Sequence, residues 1–373
     1  MLSSFSLMSA MSIFSHFLLD FYVSFFNPLG PFLIEKFGIE VRMLTSFLAL
    51  SAATASLLQI FFGFFFDRVK YTKNLLFMMY LMEAIGITLI GLSTNFWMLV
   101  VSIFIVRIAN SAFHPLGAAM AGESSGRTVA FFSISGTLGS ALGPVFISLY
   151  VTHFQVNSLW VVSLPAVFLA LLFMNIKLPD RTIHKEKFYV KEAYKLLPIL
   201  LVVTIRSFIM SVVHAYTPIF VTTIRGYSLS VSGMLITSGM IAGVFANYIG
   251  VLLMEKIGAK KQDLVAFIGM AISIFLLLNV RNLIGIFVAF IFFDFCGFLL
   301  MSANVVQAQK ILPKRKALAS SVAMGFAWSI GDFIATAYNS VVGNNISLSI
   351  ALVIPVALIS AIYFGIVQKF DTK

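Results

Sequence analysis

Residues 97–121 read WMLVVSIFIVRIANSAFHPLGAAMA. A helix of about 20 apolar residues crosses a bilayer, and this run is long enough. Its one formal charge, Arg107, stands at the centre. A charge there costs about 2.5–3.5 kcal/mol on insertion scales, so Arg107 is expected to face a cavity or a partner. His114 and Pro115 follow two helical turns later on the same face. The run is too long for a barrel strand and lacks the alternation of one.

The whole chain follows this pattern. Of its 373 residues 60% are hydrophobic and 10% charged. Soluble domains carry about 25% charged residues, so no water-soluble surface can be assembled. Apolar runs near 5–34, 43–66, 74–93, 96–121, 128–152, 158–176, 196–222, 231–254, 263–280, 283–309, 317–342 and 347–368 predict twelve transmembrane helices. The first run lacks a basic leading segment and a small-residue cleavage site, and reads as a retained span. Cys296 is the single cysteine, which excludes an intrachain disulfide and a cysteine-based metal site. No cofactor and no metal are expected. The net charge of +11 lies in loops between apolar runs rather than in a patch, so no nucleic-acid partner is expected.

Most Lys and Arg residues fall on one side, among them Arg68, Lys70, Lys73, Arg127, Lys256, Lys260, Lys261, Arg315 and Lys369. The opposite side holds Lys36, Arg42, Arg225 and Arg281. The positive-inside rule then places both termini in the cytoplasm, with an even number of spans between them. The longest polar stretch, residues 177–195, is expected to be a cytoplasmic linker between an N-terminal six-helix half (1–176) and a C-terminal one (196–373). Pro31, Gly38, Asp67-Arg68 and Lys70 fall near Pro218, Gly226, Glu255-Lys256 and Lys260 at an offset near 188. Such a parallel repeat places a substrate site at the interface of the halves, near the bilayer midplane.

Gly63-Phe-Phe-Phe-Asp67-Arg68-Val69-Lys70 closes the second span. It resembles the Gly-x-x-x-Asp-Arg loop of the major facilitator superfamily, with Val69 in place of the usual glycine. The resemblance implies that Gly63, Asp67 and Arg68 form a conformational latch. Arg107-Ile-Ala-Asn110-Ser111 is similar to the fourth-span motif whose arginine the family associates with proton coupling. Ser135-Gly136-x-x-Gly139-x-x-x-Gly143-Pro144 is similar to the glycine-rich fifth-span motif of drug:proton antiporters. Gly136, Gly139 and Gly143 allow close helix packing, and Pro144 permits a bend. Ala112-Phe-His114-Pro115, Gly126-Arg127 and His16-x-x-x-Asp20 narrow the resemblance to the fosmidomycin-resistance-protein-like branch, although Leu116 replaces a commonly acidic residue. The resembled fold is all-α, with two six-helix halves related by a pseudo-two-fold axis, and spans one, four, seven and ten line its cavity.

The intramembrane charges gather in those spans. His16 and Asp20 lie one turn apart in span one, Arg107 and His114 in span four, Arg206 and His214 in span seven and Asp294 in span ten. Glu83 and Asp332 read as structural or as near an aqueous end. The expected proton carrier is Asp20, with Arg107 as its modulator and His16 and His114 as polar partners. The expected function is proton-coupled efflux of small organic compounds across the plasma membrane by alternating access, with substrate, protons and lipid as partners and a monomer as the working unit. The alternative is import of a small organic anion with protons, which suits Arg107, Arg206 and the span histidines. A membrane enzyme is disfavoured, because no His-Glu-x-x-His, compact metal cluster, nucleophile elbow or soluble domain is visible.

Overall fold

The computed structural model describes residues 7–66, 72–122, 126–175, 194–312, 319 and 322–367, and all regular structure among them is helical. The helices are α1 (Leu7–Val23), α2 (Gly30–Phe37), α3 (Val41–Phe66), α4 (Thr72–Leu92), α5 (Phe96–Gly122), α6 (Gly126–His153), α7 (Leu159–Asn175), α8 (Leu197–Ile219), α9 (Leu229–Ile257), α10 (Ala259–Asn279), α11 (Leu283–Ile311), α12 (Ala327–Val342), α13 (Ile346–Ala351) and α14 (Val353–Ile362). Ten helical stretches are long and apolar enough to cross a membrane, and the shorter Met8–Val23 is apolar. With α12, extended at its start by the wide turn Val322–Phe326, these make up the twelve-helix fold.

The first apolar run is not one helix, as its continuous hydrophobicity had suggested. Residues 24–29 form turns between α1 and α2. Pro28 lacks a backbone donor, and its ring disfavours the helical region at Asn27. The helix restarts at Gly30, with Pro31 in its first turn, where a missing N–H costs nothing. It stops at Gly38, whose φ of +59° lies in the left-handed region favoured by glycine. Gly226, 188 positions further on, has φ +72° after the wide turn Phe220–Ile224 that continues α8. The two repeat-related segments thus end on the same backbone device.

The chain divides into two compact units, one of residues 1–29 and 54–187 and the other of residues 30–53 and 188–373. In the first, α1 packs on α5 and α6, and α4 on α5 and α7. In the second, α9 packs on α11, α10 on α11 and α14, and α8 on α12. Helix α3 is shared, its first half belonging to the second unit and its second half to the first. The polar linker expected at 177–195 lies almost wholly outside the described residues.

The inside-out distribution of side chains follows from the solvent being lipid. Phe61, Phe168 and Ile284 are exposed, whereas Glu83, Asp294 and a series of serines are buried. Lipid tails are as apolar as leucine, so close packing and internal hydrogen bonds hold the helices together. Thr45 Oγ1 meets the Tyr216 hydroxyl at 3.0 Å, and Asn339 Nδ2 donates to the Thr45 carbonyl at 3.1 Å. Both contacts anchor the first half of α3 to α8 and α12.

At the polar turn before α3, Glu40 Oε2 accepts from Arg42 Nε at 2.5 Å and from Asn344 Nδ2 at 2.9 Å. Asn344 Oδ1 in turn accepts from the Arg42 backbone N–H at 3.2 Å. The Asn344 and Arg42 bonds hold the Glu40 carboxyl below its ordinary range. The clasp's contribution is therefore full above that ordinary range and is lost as pH falls through the depressed value. Thermal unfolding of Asn344→Ala is expected to lose this acid-sensitive step while the parent retains it. Identical pH profiles for the two would remove the clasp from the account.

Candidate functional site

Three ionisable groups of the first unit converge between α1 and α5. His16 and Asp20 lie one turn apart on α1, with His16 Nε2 3.3 Å from Asp20 Oδ2. His114 reaches across from α5, its Nε2 3.5 Å from Asp20 Oδ1 and 3.3 Å from His16 Nε2. Asn110, one turn before His114, donates from Nδ2 to Asp20 Oδ1 at 2.8 Å. His16 stacks on Phe132 of α6 with ring centres 3.8 Å apart. Asp20 and His114 keep side-chain exposures of 17% and 25%, so the cluster remains open on one side.

The backbone decides what each imidazole offers. His16 Nδ1 lies 2.7 Å from the Phe132 carbonyl, and His114 Nδ1 lies 2.8 Å from the Asn110 carbonyl. A carbonyl oxygen only accepts, so both Nδ1 atoms donate. In each neutral ring Nε2 is then a bare lone pair. Two lone pairs and a carboxylate face one another across about a hydrogen-bond length, an arrangement stabilised by one cation among them. The sequence grouped these three as polar partners, and the structure brings them into contact although His114 lies 98 positions from His16. The three offer ligand atoms within 4.8 Å of one another, and they are the one such group of three found among the described residues. The absence of a compact cluster, inferred from linear spacing, is thus corrected.

The glycine-rich face of α6 lies directly on α1. A methyl group on Gly136 would sit 2.5 Å from His16 Nε2 and 2.7 Å from Asp20 Oδ2. On Gly139 it would sit 2.9 Å from the Phe17 carbonyl carbon, and on Gly143 2.5 Å from the Phe21 oxygen. Real Cβ atoms do not come so close to backbone. Gly63 differs: its methyl would lie 3.8 Å from the Pro115 Cβ, an ordinary contact that alanine tolerates. Pro144 is inside α6. Asp67 and Arg68, the rest of the expected latch, lie outside the described residues.

The second unit carries a simpler pair. His214 Nε2 on α8 lies 2.6 Å from Asp294 Oδ1 on α11. Asp294 is fully buried, and its Oδ2 has no hydrogen-bond partner among the described residues. About two turns before His214, Arg206 donates from Nε to the Gly297 carbonyl at 2.8 Å. Its guanidinium stands 5.4 Å over Phe298 and 5.6 Å over Trp328. In both units a histidine and a carboxylate meet between the first and fourth spans of the repeat.

Arg107 has an aromatic neighbour that the sequence did not point to. Its guanidinium lies 5.2 Å over the Phe26 ring, while Asp20 is held by His16, His114 and Asn110. Asn110, Phe132, Phe298 and Trp328 were not singled out as site residues. Asn110 stood in the quoted fourth-span motif, but Phe132 and Phe298 were lost among 40 phenylalanines.

The profile of the Major Facilitator Superfamily matches residues 12–336. Fosmidomycin resistance protein of Escherichia coli (strain K12) is 24% identical, over 88% of this chain and 84% of that protein. Among solved structures, an auto-inhibited peptide transporter of the POT family aligns with a TM-score of 0.80 at 10% identity, over 99% of both chains. The nucleoside transporter NupG aligns at 0.77 and 12% identity, over 96% of this chain and 99% of that one. A bacterial homologue of the human lysosomal transporter Spinster, inward-facing and unoccupied, aligns at 0.73 and 12% identity, over 97% and 96%.

Proposed function

The chain belongs to the major facilitator superfamily, and from that premise we propose that it exports small organic compounds across the plasma membrane in exchange for protons, by alternating access. It is a multi-pass secondary transporter rather than an enzyme. The observation that carries the proton reading is the convergence of two Nε2 lone pairs and the Asp20 carboxylate, with both Nδ1 donors already engaged. One proton shared among His16, His114 and Asp20 satisfies the cluster. Its departure leaves three acceptors facing one another, which favours a rearrangement of α1 against α5. Asp20 is the carrier and the histidines are its partners, while Arg107, stacked on Phe26, sets the local field. Both termini lie in the cytoplasm, and the monomer is the working unit.

Energetically one proton suffices. Its passage through about 100 mV supplies about 2.3 kcal/mol, equivalent to an approximately 50-fold substrate gradient. The likeness to the fosmidomycin resistance protein supports export and makes fosmidomycin the first compound to try.

Arg206 favours a second reading. Buried, charged and framed by Phe298 and Trp328, it suits an anionic group on the cargo, as import of a small organic anion with protons would require. Inside-out vesicles separate the two without an imposed gradient. Fosmidomycin or another cargo found by thermal shift, added to the bath, enters the lumen. Antiport then raises lumenal pH, and symport lowers it. The export reading is lost if the lumen acidifies.

A further inference from the structure

The cluster on α1 and α5 has the dimensions of a metal site. Zn²⁺ holds imidazole nitrogen at about 2.0–2.1 Å and carboxylate oxygen at about 2.0–2.2 Å, so neighbouring ligands of a tetrahedral ion are about 3.3–3.5 Å apart. The observed separations are 3.3 Å between His16 Nε2 and His114 Nε2, 3.3 Å between His16 Nε2 and Asp20 Oδ2, and 3.5 Å between His114 Nε2 and the other carboxylate oxygen, Oδ1, with one ligand atom from each residue within 4.8 Å of the others. The outer contacts also have the form that metal-binding histidines require. Each ligand nitrogen is backed by its own ring's Nδ1 donating to a carbonyl, Phe132 for one and Asn110 for the other. The carboxylate oxygen turned away from His16 accepts from Asn110 Nδ2. Rotamer, tautomer and carboxylate orientation are thus set in advance, on two packed helices.

We propose that His16, His114 and Asp20 bind one divalent transition-metal ion of the Zn²⁺ class, with a fourth position open. Two imidazoles and one carboxylate suit Zn²⁺, Co²⁺ or Ni²⁺ and disfavour Mg²⁺ and Ca²⁺, which take oxygen ligands in larger number. Gly136 leaves the floor of the site without a side chain, since a methyl group there would overlap the His16 ring edge. The part-exposed faces of His114 and Asp20 supply the way in. The sequence had suggested no metal, because the three ligands belong to helices distant in the chain. The inference stands apart from the proton reading, as it rests on ligand geometry and is tested without substrate or gradient.

The test uses the full chain, purified in detergent and freed of metal, titrated with Zn²⁺ in calorimetry and with Co²⁺ followed by absorbance. One ion per chain is expected, with ligand-field bands of low-symmetry Co²⁺ and no competition from millimolar Mg²⁺. His114→Gln and Asp20→Asn should each weaken Zn²⁺ by more than about 100-fold, beyond what loss of an outer-shell partner does. His153→Gln, at an exposed position on α6, should bind as the parent does. His114→Gln removes a ligand, so near-ultraviolet circular dichroism or thermal evidence that it is folded accompanies the titration. Absence of Zn²⁺ uptake by the parent overturns the inference, as does uptake unchanged in both cluster variants. Proton-coupled transport that depends on Asp20 in a protein that ignores Zn²⁺ would remove this inference alone. Zn²⁺ binding in a transporter that moves no protons would remove only the proton reading.

Discussion

Asp20→Asn is expected to abolish proton-driven accumulation while leaving substrate exchange intact. In proteoliposomes with a gradient worth about 100 mV, the parent should concentrate its cargo about 50-fold, and the variant should not exceed the level reached without a gradient. The reason lies in the donor count. Asp20 presents two acceptor oxygens to His16 and His114, whose Nε2 atoms are themselves acceptors once their Nδ1 donors are committed. Asparagine replaces one of those oxygens with an amide that brings its own hydrogens. It donates to a neighbouring Nε2, while its remaining oxygen still accepts from Asn110. The variant therefore resembles the proton-loaded cluster permanently, can change conformation with cargo aboard, and has no proton to release. Counterflow of labelled against unlabelled substrate checks that half of the expectation. Full accumulation by Asp20→Asn would mean that the coupling proton travels elsewhere, with His214 and Asp294 the next place to look.

How much of this was legible beforehand differs between levels of structure. Hydropathy located the spans because lipid imposes a length and a composition on each of them. It could not reveal the break at Asn27-Pro28, since the residues on either side are equally apolar, and only the proline's missing donor marks the turn. Asp20, His16 and His114 were each recognisable as costly groups in a bilayer. Which of them touch depends on the rotation of α1 against α5, and that is set by the α6 glycines rather than by the charges. Charge alone could not rank the partners of Asp20, whereas packing sets His16 and His114 against it and Phe26 against Arg107. Asp294, in the fourth span of the second half, is met by His214 of the first span of that half. The repeat pairing of Gly38 with Gly226 has a backbone counterpart, since both hold φ in the left-handed region.

Gly139→Ala is expected to lower stability by about 1–3 kcal/mol, the usual cost of overpacking a filled interior, and Gly63→Ala to lower it not at all. Both glycines lie within helices in the motifs quoted above, and alanine favours the helix by up to about 1 kcal/mol at either position. Their surroundings set the sign. At Gly139 the new methyl would stand 2.9 Å from the Phe17 carbonyl carbon and 3.0 Å from the Phe21 nitrogen. Both are backbone atoms of α1, which cannot rotate aside, so α1 and α6 must separate along their contact. At Gly63 the nearest atom is the Pro115 Cβ at 3.8 Å, and the methyl adds an ordinary contact. Because α1 carries both His16 and Asp20, the displacement in Gly139→Ala also moves the cluster, and proton coupling should fall with the melting temperature. Gly136→Ala offers the contrasting case, since its methyl meets the side chains of His16 and Asp20 rather than backbone. It should lose coupling out of proportion to stability. Thermal unfolding in detergent, read beside proton-driven uptake in vesicles, separates the three variants. A Gly139→Ala protein that melts with the parent would show that α1 and α6 have room to part, and the account of how these helices position the cluster would fall with it.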